Sequence, residues 1–466
     1  MKREEVSVAE SVKPGTHSCV VNPGLKDAQP SLGGRYSRMF PALPACEVDE
    51  EAVVGLGRSA SRMDAMLPVV DAALDNPRIP AGFTVFGQFV AHDITYDQSE
   101  LAHRVAASEL RNFRAPRLDL ESLYGAGPIG APFLYDVEDP DKLLLGASSE
   151  GEAHDLPRNF QGRALIGDPR NDVHLIISQM HLAFLMFHNR VVDWLRERGT
   201  TDVFEEARRL VSWHYEWIVA REFLPLSVGE EMASNVEKAG RKVYDPGDEP
   251  SIPAEFSDAA YRFGHSQITP TYTLNDSSGE VALFPDCLGS RPVPPERVID
   301  WTWFFEIPGA HPPQPSRRLV ASLTHTLMDL PDQIVGHTEI PEHHSLAARD
   351  LQRGSALGLP SGEAVARAIG AEPLTAEEFG LGDGWSGETP FWYYVLKEAE
   401  VRAGGEHLGS VGGRIVAEVL LGLLDADPGS YRNVEPDWRP VLPSTEPGRF
   451  TMADLLVFAG VPMGAA

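Results

Sequence analysis

Phe86-Gly87-Gln88-Phe89-Val90-Ala91-His92-Asp93-Ile94-Thr95-Tyr96-Asp97 turns from apolar to polar within a single short stretch. Gln88 and His92 are four residues apart, so on a helix they share one face, one turn above the other. Asp93 then points about 100° away, toward a different neighbourhood. An imidazole and an amide on one face with a carboxylate on another have two readings. One is a constructed site; the other is a helix end with polar caps.

Helical spacing recurs outward from this stretch. Leu175, Ile176, Met180, Ala183, Phe184, Phe187, Val191 and Leu195 repeat at three- and four-residue steps, which predicts a long helix over 171–198. Asn171 and Asp172 are its expected N-caps, and Gly199 its stop. A second helix is predicted over 203–223, a third over 391–424 and a short one over 450–458. Pro294-Pro295 and Pro312-Pro313 keep the helices between them short. Few segments alternate with period two, and no repeat or linker divides the chain. The expected fold is mainly α, with little or no β-sheet and long Pro/Gly-rich loops. Residues 1–75 read as an irregular arm packed on one large helical domain, 76–466.

The chain has 40 Lys and Arg against 68 Asp and Glu, a formal charge of −28. That field repels nucleic acid and anionic membranes. No apolar run reaches the ~20 residues that span a bilayer. No apolar stretch follows Lys2-Arg3, so no secretory signal is expected and a cytoplasmic location is. Cys19, Cys46 and Cys287 are too dispersed for a disulfide framework and read as free thiols.

Three further segments carry chemistry-bearing residues. Gly167-Asp168-Pro169-Arg170-Asn171-Asp172 delivers an arginine to a helix N-terminus, where a cation is disfavoured. Arg170 either pairs with Asp168 or Asp172, or serves an anion or developing negative charge. In Tyr261-Arg262-Phe263-Gly264-His265-Ser266 the histidine is either a satisfied core residue or a ligand. Arg353-Gly354-Ser355-Ala356-Leu357-Gly358-Leu359-Pro360-Ser361-Gly362-Glu363 is a loop returning to a helix that has a carboxylate at its start.

Gly-Gln-x-x-x-His-Asp, Gly-Asp-x-Arg, a helix bearing His188-Asn189-Arg190 and Arg-Phe-Gly-His follow one another in this order. Over about residues 80 to 460 the chain thereby resembles the animal-type haem peroxidases of the peroxidase–cyclooxygenase superfamily, among their shorter bacterial members. The resemblance implies haem b with His265 as the proximal iron ligand. His92 is implied as the distal acid–base, Arg170 as the stabiliser of charge built during O–O cleavage, and Gln88 as the amide that holds distal water or a halide. Arg262 matches a residue that pairs with a haem propionate, and Glu363 the hydrogen-bond partner of the proximal imidazole. The implied reaction uses hydrogen peroxide to oxidise a small organic donor or a halide through a ferryl state.

The resemblance also implies calcium beside the distal helix, with Asp93, Asp119 and Glu121 as side-chain ligands, although Ala115 replaces a ligating Thr. Ala91 and Val173 stand where relatives carry ester-forming carboxylates, so the haem is expected to be held non-covalently. His174 stands where some relatives carry a sulfonium-forming Met. A carboxylate at Glu363 would lower the iron's reduction potential. One competing reading is a fatty-acid dioxygenase of the same superfamily. Its radical tyrosine would lie three residues before the proximal His, but Arg262 occupies that position. Another is a haem-binding protein without turnover. A metal hydrolase based on Glu342-His343-His344 is a third, set against a surface cluster.

Overall fold

The computed structural model describes residues 36–65, 72–97, 109–146, 154–247, 249–336, 338–382, 385 and 387–463. Residues 1–35 and 66–71 of the expected arm, Cys19 among them, lie outside the described residues.

The fold is mainly α, as expected. Helices that frame the site and its surroundings include α1 (Glu50–Gly57), α2 (Ala81–Ile94), α3 (Leu175–Arg196), α4 (Val203–Ile218), α5 (Leu346–Ala356), α6 (Phe391–Ala403), α7 (Ser410–Ala426) and α8 (Met452–Ala459). Strand is confined, among the described residues, to three two-stranded pairs. Tyr36–Ser37 runs parallel to Ile252–Pro253, and Asp75–Pro80 antiparallel to Pro315–Arg317. Thr271–Thr273 runs antiparallel to Glu280–Ala282.

Every member of the predicted apolar series on α3 is buried, and so are Ile177, Gln179, His181 and Leu182 on its other faces. A helix covered all round is a central one. It packs against α2, α4 and α8. Phe89 of α2 stacks on Phe184 of α3 with ring centres 4.5 Å apart, and Phe86 meets Phe223 edge-on at 5.5 Å. These contacts fix α2 by its apolar face and turn its polar face elsewhere.

Three local expectations are corrected. The cap of α3 is His174, whose ring accepts the amide of Ile177, while Asn171 and Asp172 belong to a separate tight turn, Pro169–Asp172. The helix expected over 391–424 is two helices. Gly404 and Gly405, at φ 58° and 73°, take left-handed backbone that breaks the run. Beyond Ile218, α4 continues through a widened π turn, Val219–Phe223, into Leu224–Val228.

The described part of the arm clasps the core. Arg38 donates to the Glu255 carboxylate (2.9 Å) and to the carbonyls of Leu357 and Gly358 (2.9 and 3.0 Å). Glu255 also accepts the amides of Met39 and Phe40. α1 packs on α5.

Candidate active site

A cavity lies between α2, the N-terminal end of α3, the turn Ala260–Gln267 and α5. Gln88, His92, Arg170, His174, Arg262 and His265 all line it, among the apolar side chains of Phe83, Phe223, Phe256, Phe263, Leu327 and Ile334.

His92 is buried. Its Nδ1 lies 2.7 Å from Oδ1 of Asn171, and Nδ2 of Asn171 lies 3.0 Å from Nδ1 of His181. An amide oxygen can only accept, so His92 carries its proton on Nδ1 and its lone pair on Nε2. Burial and the neighbouring Arg170 push the ring's pKa down to about 3, which keeps it neutral.

Arg170 is held rigidly. Asp168 caps the Pro169–Asp172 turn by accepting the Arg170 amide, and it also takes the guanidinium through Nε (3.0 Å) and Nη2 (2.7 Å). Nη2 also donates to the His92 carbonyl at 2.8 Å, and the guanidinium sits 4.2 Å from the Tyr96 ring centre. Arg114 grips Asp168 from another side at 2.7 Å. Burial alone would raise the Asp168 carboxyl, but Arg170 and Arg114 outweigh it and hold the group well below the usual carboxylate range. Asp172, the other candidate partner, is taken by Arg158 at 2.7 and 2.8 Å.

His174, unassigned from sequence, orients Gln88. Its Nδ1 accepts the Ile177 amide at 3.2 Å, so the ring proton is on Nε2 and is donated to Oε1 of Gln88 at 2.8 Å. The carbonyl end of the Gln88 amide is thereby engaged, and its NH2 end remains the donor. Burial holds the His174 ring down to about 4.

On the other side, His265 donates Nδ1–H to Oδ2 of Asp350 at 2.6 Å, which places its lone pair on Nε2. Arg262 reaches Oδ1 of Asp350 at 2.5 Å. Burial pushes the Asp350 carboxyl up, yet His265 and Arg262 bring it down to about 2. Two expectations fail here. Glu363 is not the imidazole's partner, because its carboxylate caps Thr389 through the amide (2.9 Å) and the hydroxyl. Arg262 is committed to Asp350, to Asp258 at 2.8 Å and to the Ser257 carbonyl at 3.1 Å, so it does not stand ready for a propionate. The buried network continues from Asp258 to Arg353 at 3.2 Å, and Arg353 pairs with Asp97 at the end of the opening stretch.

The carboxylates expected at the calcium position lie within electrostatic reach of one another, Asp93 of Asp119 and Asp119 of Glu121. Asp93 does meet the 119–122 turn, but its oxygens accept the amides of Leu120 (3.0 Å) and Ser122 (3.4 Å). Glu121 pairs with Arg114 at 3.3 Å and accepts the Ala115 amide. Among the described residues no group of three His, Cys, Asp or Glu could hold a metal ion, at this turn or at His343-His344. The cavity fits haem: a half-buried imidazole with its lone pair on Nε2 opens on an apolar space that also holds a neutral imidazole and a fixed guanidinium. Ala91 and Val173 line that cavity and bring no carboxyl to it.

Sequence reading missed Asn171, His181, Asp168 as the arginine clamp, and Asp350. Asp350 lies one helical turn before Arg353-Gly354, so the imidazole's partner precedes the Gly-Leu-Pro loop, whereas the expected one was sought beyond it.

Solved structures share the architecture. Peroxidase A from Dictyostelium discoideum superposes with a TM-score of 0.61 at 15% identity, covering 87% of this chain and 90% of its own. The fatty acid alpha-dioxygenase of Oryza sativa superposes with a TM-score of 0.58 at 15% identity, covering 90% and 81%. Fold and cavity thus define a mainly helical protein with a cavity lined by histidines and arginines. The sequence model for the animal haem peroxidase matches residues 106–379, more than half of the chain. The chain belongs to the animal haem peroxidase family. Gln88 and His92 lie ahead of the matched segment. Among relatives, Peroxidasin homolog pxn-1 of Caenorhabditis elegans is 26% identical over 57% of this chain and 22% of its own length. The chorion peroxidase of Drosophila melanogaster is 26% identical over 62% and 34%. The chain therefore spans about a fifth to a third of those relatives. Membership supports a peroxidase-type oxidoreductase with haem as its cofactor. No helix among the described residues is long and apolar enough to cross a membrane.

Proposed function

We propose that this chain is a haem peroxidase that reduces hydrogen peroxide at the expense of a small-molecule donor. The observation that carries the reading is the tautomer pair: His92 and His265 line one cavity, each with Nδ1–H tied to a fixed acceptor. Bound haem would supply the redox chemistry, taking two oxidising equivalents from peroxide and passing them to the donor. His265 would ligate the iron through Nε2, and Asp350 would make that imidazole more electron-rich. With Ala91 and Val173 at the ester positions, haem would be held there without covalent bonds from either residue.

His92 Nε2 takes a proton from peroxide and returns it to the oxygen that leaves as water. Asn171 keeps that nitrogen unprotonated at the start of each cycle. Arg170, immobilised by Asp168, presents positive charge where the leaving oxygen becomes negative, without reorganisation. Gln88 offers its NH2 to an acceptor in the same space.

The test is reconstitution with haem, followed by the Soret band and by oxidation of a phenolic donor with and without peroxide. His265→Ala is expected to lose haem uptake. His92→Leu should keep haem and slow the reaction with peroxide by about 10²–10⁴-fold. Failure of the wild type to take up haem would overturn the reading. Oxygen consumption with a fatty acid would favour the dioxygenase instead, although Tyr261, which lines the cavity, donates its hydroxyl to the Gly87 carbonyl at 3.3 Å.

A further inference from the structure

Three arginines line the cavity beside its histidines, and they differ in what neutralises them. Arg170 is paired with Asp168, and Arg262 with Asp258 and Asp350. Arg349 is only 4% exposed, yet among the described residues it makes no salt bridge. Its guanidinium has one hydrogen bond, from Nη1 to the His343 carbonyl at 3.0 Å. A guanidinium has five N–H donors, and burying its charge without a counter-ion costs several kcal/mol.

We propose that Arg349 anchors a carboxylate carried by whatever fills the cavity. The planar fork of a guanidinium matches a carboxylate in two-point contact. The wall around it is apolar, formed by Leu327, Leu330, Ile334, Val335 and Leu346. An inorganic anion would gain nothing from that wall, whereas a carboxylate on an apolar body buries both of its parts. Arg349 directly precedes Asp350 on α5, and neighbouring helix positions diverge by about 100°. One side chain therefore holds His265 while the next faces the cavity, which puts the anchored carboxylate on the proximal histidine's side.

Two molecules could bring this group: haem, through a propionate, or an apolar donor with its own carboxylate. The first source rests on the peroxidase reading; the second does not. The experiment has three arms, each run on wild type, Arg349→Gln and Arg349→Lys, with circular dichroism to confirm folding. Haem and its dimethyl ester are titrated into the haem-free chain. If a propionate is the ligand, Arg349→Gln weakens haem binding by about tenfold or more, Arg349→Lys recovers part of it, and the ester binds all three alike. In the second arm haem affinity is unchanged, but Arg349→Gln raises KM for para-hydroxyphenylpropionate and leaves its amide untouched. In the third, calorimetry follows phenylpropionate on the haem-free chain, so a protein that takes no haem still gives an answer. Indistinguishable wild type and Arg349→Gln in all three arms would overturn the assignment. If Arg349→Gln fails to fold, equal binding of haem, its ester, phenylpropionate and phenylpropionamide by wild type does the same.

Discussion

At His174 two hydrogen bonds decide the orientation of a third group. The Ile177 amide claims Nδ1, so the ring must donate from Nε2, and Gln88 must turn its carbonyl toward it. His174→Asn separates the two roles, since Asn caps a helix well but is too short to reach Gln88. We expect that variant to fold and its haem-loaded ferric form to bind fluoride about tenfold more weakly, as Gln88→Leu should. Unchanged fluoride titrations in both variants would contradict the orientation. At Asp350, replacement by Asn keeps an acceptor for His265 and removes the charge, so the iron midpoint potential is expected to rise in a spectroelectrochemical titration. Gln88, His92, Arg170 and His265 were legible because each sits in a short local pattern. Their partners were not. Asn171 looked like a cap, and Asp350 lies on a helix whose approach to His265 is set by packing across 85 residues of sequence.

Among the elements, the turn before α3 is placed by close backbone contact. A Cβ on Gly167 would lie 2.5 Å from the Ser122 carbonyl oxygen and 3.1 Å from that of Glu121. Gly167→Ala must therefore push away the turn that carries Asp168 and Arg170. We expect a loss of about 1–3 kcal/mol in urea denaturation, together with slower peroxide turnover. An unshifted midpoint would show that the turn yields freely. The apolar series read from sequence on α3 is the buried one, because a 3.6-residue period needs no tertiary knowledge. The break at Gly404-Gly405 escaped because apolar spacing continues on both sides of it.

For the molecule as a whole, acid is the informative stress. Burial lowers His181 to about 3, and His188 and His214 to about 4. Unfolded, these rings take up protons below about 6.5. The unfolded state therefore binds more protons over this window, and the stability these groups confer, complete above about 6.5, is lost as the pH falls toward 4. Asp168, also depressed, extends the loss below about 4. The unfolding free energy from urea denaturation should decline steadily between pH 7 and 4.5, by several kcal/mol in all, on the order of one to two pKa-unit equivalents per ring. A flat profile would refute neutral burial of these rings.

The grip of residues 38–40 on Glu255, Leu357 and Gly358 ties the chain leading into the His265 turn to the residues just past α5. One of those segments carries His265 and the other its partner Asp350. The arm is therefore a brace for that pair: without Arg38, the imidazole and its carboxylate would be held together by fewer bonds between the two segments that bear them.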